Sequence, residues 1–177
     1  MIRPLLRNEL HILTELANDI WPRVYSSMIS QAQMEYMLKW MYATDVLQDK
    51  LDDGELFYIY TKATRPVAYL HLEPVSDHVL KIQKIYVHPD YHQSGIGRQL
   101  IEFSAEVARN MQCSSLELQV NRTNPAVGFY ERLGFAVMEE KDFDIGNGFF
   151  MNDFVMKRSI HGWRCRRLAI GEVGFKI

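Results

Sequence analysis

The sequence predicts an α/β domain (α+β in the way helices and strands segregate) built on a mixed sheet. Three observations lead there. Helical periodicity fills roughly the first fifty residues. Short alternating strand patterns follow between turn residues. From residue 80 onward strands and helices alternate as β-α-β-α-β.

Taken in order, the first helix pattern follows Asn8, read as its N-cap, and sets Leu10, Leu13, Leu16, Ala17 and Ile20 on one face. Pro22 is expected to end or bend it, because proline lacks the N–H that the next turn needs. Ser30 and Gln33 have capping-box spacing ahead of Met34, Met37, Leu38 and Met41. A short helix over 44–51 stops at Asp52-Asp53-Gly54. Residues 56–60 and 67–72 read as two strands joined by a turn through 62–66. The strand over 80–87 starts with Leu80 and Ile82 in one phase and continues with Ile85 and Val87 in the other. A β-bulge produces such a slip, and so does a strand buried on both faces; the residues leave both open. A helix from Arg98 places Leu100, Ile101, Ala105, Val107, Ala108 and Met111 together. Leu116, Leu118 and Val120 alternate in the next strand. A helix over 125–133 ends at Gly134, and strands near 135–139 and 149–156 close the domain.

Composition narrows the function classes. The chain has 177 residues, 47% of them hydrophobic, which suits one domain with a large core and excludes a disordered or fibrous protein. Lys+Arg 20 against Asp+Glu 22 gives a net charge of -2, without the basic excess of an obligate nucleic-acid binder. No apolar run approaches the roughly 18 residues of a membrane span, and the N-terminus lacks a signal-peptide core. Two cysteines, Cys113 and Cys165, cannot build a disulfide framework, so a cytoplasmic location is expected.

The segment from Val87 to Arg98, Val-His-Pro-Asp-Tyr-His-Gln-Ser-Gly-Ile-Gly-Arg, carries chemistry. A strand ends, two glycines follow, and an amphipathic helix begins. Glycine lets backbone amides approach an anion without a Cβ in the way, and the helix start adds free N–H groups. This is the makings of a pyrophosphate cradle. A P-loop would need Lys-Ser/Thr after its last glycine, but Arg98-Gln99 stands there. A dinucleotide fingerprint would need a third glycine where Leu100 stands. Downstream, Asn124 sits at a strand-to-helix junction ahead of Pro125, as an N-cap would, and Tyr130 lies beside Phe129. On residue types alone, that pair reads as core packing.

Together the two segments resemble the GNAT acetyltransferase superfamily. Its members carry Gln/Arg-x-x-Gly-x-Gly/Ala at a strand-to-helix turn and Asn-x-x-Ala-x-x-Phe-Tyr-x-x-x-Gly-Phe about thirty residues later. Here the first is His92-Gln93-Ser94-Gly95-Ile96-Gly97, with His92 in place of the usual Gln or Arg. The second, from Asn124 through Phe129-Tyr130 to Gly134-Phe135, matches at each motif position. The resemblance spans residues 1–158, which makes 159–177 a basic tail.

The resemblance implies a largely antiparallel twisted sheet with two central parallel strands splayed apart, flanked by helices. It implies acetyl-CoA as co-substrate, no metal, and a primary amine as acceptor in a ternary complex. Backbone groups of Ile85, Tyr86 and Val87 would pair with the pantetheine arm. Amides of Gln93, Ser94, Gly95, Ile96, Gly97 and Arg98 would hold the pyrophosphate, and Asn124 would orient the cofactor. Tyr130 would protonate the departing thiolate. Trp21, Tyr25 and Glu73 would belong to the acceptor site. The strand before the glycine loop offers Lys81, Gln83 and Lys84, none a good base; His71, Glu73 and His78 beside it read as surface residues.

The layout of the N-terminal half is also similar to that of polyamine-acetylating members, which points to a small cationic amine. Two other classes stay open: acetylation of a protein N-terminus or lysine, and a binding module that senses acetyl-CoA without turnover. The tail leaves three roles open: an added edge strand, packing in a homodimer, or no fixed structure. It holds four basic residues and one acidic, so removing it from the whole-chain -2 leaves -5 for residues 1–158. An acidic body suits a cationic acceptor. Neither nucleic acid nor membrane is expected as a partner.

Overall fold

The structure, a computed structural model, describes residues 1–160; most of the basic tail, with Cys165, lies outside them. A short β1 (Ile2–Pro4) precedes three helices, α1 (Leu10–Tyr25), α2 (Gln31–Tyr42) and α3 (Thr44–Asp52). The strands β2 (Leu56–Lys62), β3 (Arg65–Ser76) and β4 (Val79–Val87) form a meander. Then come α4 (Ile96–Asn110), β5 (Ser115–Asn121), α5 (Ala126–Arg132), β6 (Ala136–Gly146) and β7 (Phe149–Ser159). The sheet order is β1-β2-β3-β4-β5-β7-β6, and β4 with β5 is the one parallel pair among the described strands. The expected mixed, mostly antiparallel α/β architecture is therefore present.

Each sheet face buries its own core. On one side α1–α3 cover Ile59 and Tyr69 with Leu13, Ile20, Trp21 and Leu47. On the other, α4 and α5 cover Leu70, Leu80, Leu116 and Met156 with Leu100, Ile101 and Tyr130. Strands buried on both faces explain why 67–72 reads as a continuous apolar run rather than an alternation.

Several local expectations are corrected. Asn8 does not cap α1. It lies within a 3-10 turn, Arg7–Glu9, where the Glu9 carboxylate accepts the Leu6 N–H at 3.0 Å and pairs with Arg3. Pro22 does not end α1, which continues to Tyr25 because Trp21 and Tyr25 both pack against Tyr86. Ser30 Oγ accepts the Gln33 N–H at 3.1 Å, but the reciprocal half of the capping box is missing. Instead, Gln33 Nε2 donates to Phe150 O at 2.8 Å, tying α2 to the β6–β7 hairpin. Helix α4 begins at Ile96 rather than Arg98, and Met111 at its end is exposed. Strand β6 extends to Gly146, well past 139, since its outer half needs only β7 as partner. Strand β7 runs through Ser159, and Ile160 packs in the core, just past the expected boundary at 158.

His71 is not a surface residue. It is fully buried on β3, stacked on Phe57 with centroids 4.1 Å apart. Its Nε2 meets the Glu55 carboxylate, and its Nδ1 lies 3.4 Å from Lys84 Nζ. Lys50 donates to Glu55 at 3.0 Å. A neutral imidazole suits this chain, donating to the carboxylate and accepting from the ammonium. Burial pulls His71 down to about 4, against the pull of Glu55. Burial, and then Lys50, pulls Lys84 down to about 8.

A histidine with a depressed folded pKa stabilises above its unfolded value, and that contribution is lost as pH falls toward the folded value. Urea unfolding of the wild type and of His71→Leu at several pH values should show this directly. The difference in unfolding free energy should shrink by about 3 kcal/mol between neutral pH and about pH 4. A constant difference would mean that the folded imidazole titrates at its unfolded value and that burial does not depress it.

Candidate active site

Strands β4 and β5 pair over only four residues each, from Val79 opposite Ser115 to Ile82 opposite Leu118. Beyond that point they diverge. The cause sits on β4. Leu72 of β3 faces Ile82 while the adjacent His71 faces Lys84, so Gln83 is an extra residue. This is the bulge, and it turns the rest of β4 away from β5.

Past the bulge, β4 stays on β3 and β5 stays on β7, so each keeps one free edge. His88 N–H donates to Val67 O at 2.8 Å; alternation in an antiparallel ladder then commits Tyr86 to β3 and turns the backbone groups of Ile85 and Val87 into the opening. On the far side, Arg122 N–H donates to Asn152 O at 3.0 Å, which turns Gln119 and Asn121 toward the same opening. Unpaired strand edges facing each other across a cleft are ready to bond an extended, amide-bearing ligand.

The glycine loop sits at the end of β4. His92, the departure from the family pattern, has its Nε2 2.8 Å from Val87 O and so ties the loop to the strand. Ser94 Oγ donates to Tyr91 O at 2.5 Å. Gly95 has φ +81, a left-handed conformation costly for any residue with a Cβ, and the space around it is open. The first bond of α4 runs from Gln99 N–H to Gly95 O at 3.1 Å. The amides of Ile96, Gly97 and Arg98 therefore have no acceptor within the helix, as at any helix start. Gly97 has a different reason to be glycine: a Cβ there would lie 3.2 Å from Phe129 Cζ.

That contact explains the Phe-Tyr pair. Phe129 anchors α5 against the loop, while Tyr130 turns its ring into the cleft between Phe129 and Phe135. Tyr130 is 8% exposed, and burial raises its pKa, so its hydroxyl keeps its proton across the neutral range. Asn124 Oδ1 accepts the Ala126 N–H at 2.9 Å and starts α5. Pro125 takes the N-cap position expected of Asn124, whose side chain instead bonds the first residue of α5 from one place further back; the same residue lines the cleft.

On the opposite side of the sheet the cleft opens into an aromatic and thioether wall. Tyr25 and Tyr86 share a hydrogen bond of 2.9 Å, with the Trp21 ring packed at a tilt against both. Met37 and Met41 come from α2, and Phe150 and Met151 from β7. One cavity of about 260 Å³ joins this wall to Tyr130, His92 and Asn124.

Of the residues expected at the site, Trp21, Tyr25, Ile85, Tyr86, Val87, Asn124 and Tyr130 line this cavity. Gln93, Ser94, Gly95, Ile96, Gly97 and Arg98 form the turn beyond its end rather than its lining. Glu73 is not in the lining; its carboxylate holds the side-chain amide of Gln83, the bulge residue. Asp153 escaped the sequence reading. It lines the cavity at 7% exposure, and burial pushes it up to about 6, while Arg122 and Lys81 pull it back. The signal was there: an acid in phase with the inward-facing Met151 and Val155.

Residues 13–135 match the family model described as the acetyltransferase (GNAT) family. An uncharacterised N-acetyltransferase of Lactobacillus delbrueckii subsp. lactis is 32% identical over 140 residues, covering 71% of this chain and 79% of that protein. A spermidine N(1)-acetyltransferase of Thermoplasma acidophilum is 24% identical over 157 residues, covering 85% and 94%. The crystal structure of the PaiA N-acetyltransferase of Thermoplasma acidophilum, in complex with coenzyme A, superposes with a TM-score of 0.76 at 22% identity, covering 90% of this chain and 98% of that one. The splayed strands, the glycine loop and the tyrosine between them thus belong to a chain of the GNAT acetyltransferase family, an N-acetyltransferase whose acyl donor is acetyl-CoA.

Proposed function

We propose that the protein transfers the acetyl group to a primary amine by direct attack in a ternary complex, and that the acceptor is a small cationic amine. The observation that carries this reading is the continuity of one cavity from Tyr130 to the aromatic wall of α1 and α2. The acetyl end of the cofactor and the amine can share this one space, with the reacting groups meeting at the divergence of β4 and β5. Holding them there recovers on the order of 7–11 kcal/mol of the barrier.

The free amides at the start of α4 receive the pyrophosphate, since a helix N-terminus favours anions. Ile85 offers its backbone groups to the pantetheine amides, whereas Tyr86, spent on β3, contributes its ring and hydroxyl to the acceptor side. The Val87 N–H faces the opening and is suited to receive the developing oxyanion. Asn124 acts on the position of α5, and hence of Tyr130. As the C–S bond breaks, Tyr130 protonates the thiolate. Residues 1–158 form the catalytic domain in this reading, working in the cytoplasm. The acidic body and the likeness to a spermidine acetyltransferase support a cationic acceptor over a neutral one.

A thiol-release assay with acetyl-CoA and a panel of spermidine, aminoglycosides, amino acids and a lysine peptide should give the highest kcat/KM with a small polyamine. A peptide as the best acceptor would reassign the substrate to protein. Absence of turnover alongside intact coenzyme A binding would make the protein a sensor. Tyr130→Phe should lower kcat by about 10²–10⁴-fold and leave the acetyl-CoA KM nearly unchanged; an unaltered kcat removes Tyr130 from the mechanism. Gly95→Val should destabilise the fold by about 1–2 kcal/mol and weaken coenzyme A binding measured by calorimetry. Binding at wild-type strength would move the pyrophosphate site away from this turn.

A further inference from the structure

Asp153 is the one carboxylate in the cavity lining among the described residues. It stands on β7 opposite Asn121 of β5 and Lys141 of β6. Arg122, which follows Asn121 at the end of β5, pairs instead with Glu140 and Asp142 on the outer strand. Among the described residues no donor is hydrogen-bonded to the Asp153 carboxylate. Tyr25 faces it from α1, Lys81 from β4 and Arg122 from the end of β5; α2 contributes Gln33, Met37 and Met41 to the same cavity. A carboxylate buried without a bonded cation is costly, and the walls beside it are aromatic. Such a pocket is complementary to an ammonium on an alkyl chain, which would meet the carboxylate with its charge and the Tyr25 and Tyr86 rings with its methylenes.

We propose that Asp153 receives the acceptor: its carboxylate pairs with the ammonium of the incoming amine and takes one proton from it. This deepens the acetyl-transfer reading above and rests on it. The proton moves from nitrogen to Asp153, and the freed lone pair attacks the thioester carbonyl. The new C–N bond forms, the C–S bond breaks, and the sulfur leaves with the proton of Tyr130. The amide nitrogen sheds its surplus proton to restore Tyr130, and Asp153 releases its own to solvent. One ammonium and one thioester thus give one amide, one thiol and one proton. The raised pKa of Asp153, about 6, brings the carboxylate closer to the basicity this task needs.

The test compares Asp153→Asn with wild type using spermidine and a lysine peptide as cationic acceptors, and hydroxylamine, which is uncharged at neutral pH, as a neutral one. The ratio of kcat/KM for the cationic acceptors to that for hydroxylamine should fall by about 10²-fold or more in the variant. The wild-type acid limb of kcat/KM near pH 6 should vanish with it. Equal losses toward both kinds of acceptor, or no loss, overturn the assignment. Wild-type protein that binds coenzyme A but acetylates neither kind overturns the acetyl-transfer reading itself. A thermal melt supplies a readout independent of turnover. An ionised Asp153 costs stability above its folded pKa, so Asp153→Asn should melt higher than wild type at pH 8, and the gap should begin to shrink as pH falls through about 6 and be lost near the unfolded value of about 4. A gap that does not change with pH means that the carboxylate is already compensated in the free protein.

Discussion

The fold turns on the failure of β4 and β5 to stay together. Two parallel strands in the middle of a sheet ordinarily pair along their length, because an unpaired buried amide or carbonyl is expensive. Here the ladder stops after Ile82 and Leu118. The chain tolerates this because each strand is held firmly on its other side, β4 by β3 and β5 by β7. Gln83, bulged out of the β3–β4 ladder and held by Glu73, sets where the divergence begins. Every functional feature is arranged around that gap. The glycine loop lies at the end of one diverging strand, α5 follows the other, and α1 and α2 wall the opening behind them.

The groups around the gap divide their work between structure and chemistry. Gly95 is there for its backbone angle and Gly97 for the ring of Phe129. Phe129 in turn positions its neighbour Tyr130. His92 binds the carbonyl of Val87, so the motif position that departs from the family pattern serves the loop's attachment to the strand. Arg23 and Asp19 of α1 reach Asp90 and His88 at the same loop, at 2.6 and 2.9 Å. The aromatic wall and the glycine loop are therefore joined through α1.

Two buried acid–base groups lie near the cleft and are treated differently. Lys84, His71 and Glu55 form a closed chain in which ammonium and carboxylate offset each other across a neutral ring. Nothing in that chain calls for a ligand. Asp153 faces the cavity with no bonded cation among the described residues, and the walls beside it are aromatic and thioether side chains. The contrast separates a structural ionic network from a carboxylate poised for a charged visitor. Burial alone would not have told them apart, since His71 and Asp153 are both nearly inaccessible.

Much of this architecture was legible in the residues. Local periodicity located α2, α4, β5 and the outlines of β2 to β4, and glycine and asparagine at fixed spacing marked the loop and the start of α5. Those features depend on neighbours within a few positions, so a linear reading reaches them. The early cap went to Asn8 rather than to Glu9 because Glu9 acts through Arg3 and a backbone amide, contacts made only once the chain turns. Strand β1 and the outer half of β6 owe their form to a partner strand rather than to their own pattern. Glu73, expected at the acceptor site, lies outside the cavity and Asp153 lines it for the same reason: two strand carboxylates look alike in sequence, and the sheet decides which one faces the cavity. The sequence by itself determined the class of fold, the glycine loop and the Phe-Tyr pair of α5. Tertiary structure alone decided which carboxylate enters the site, which backbone edges stay free and how the two halves of the cleft meet, because those depend on contacts between segments far apart in the chain.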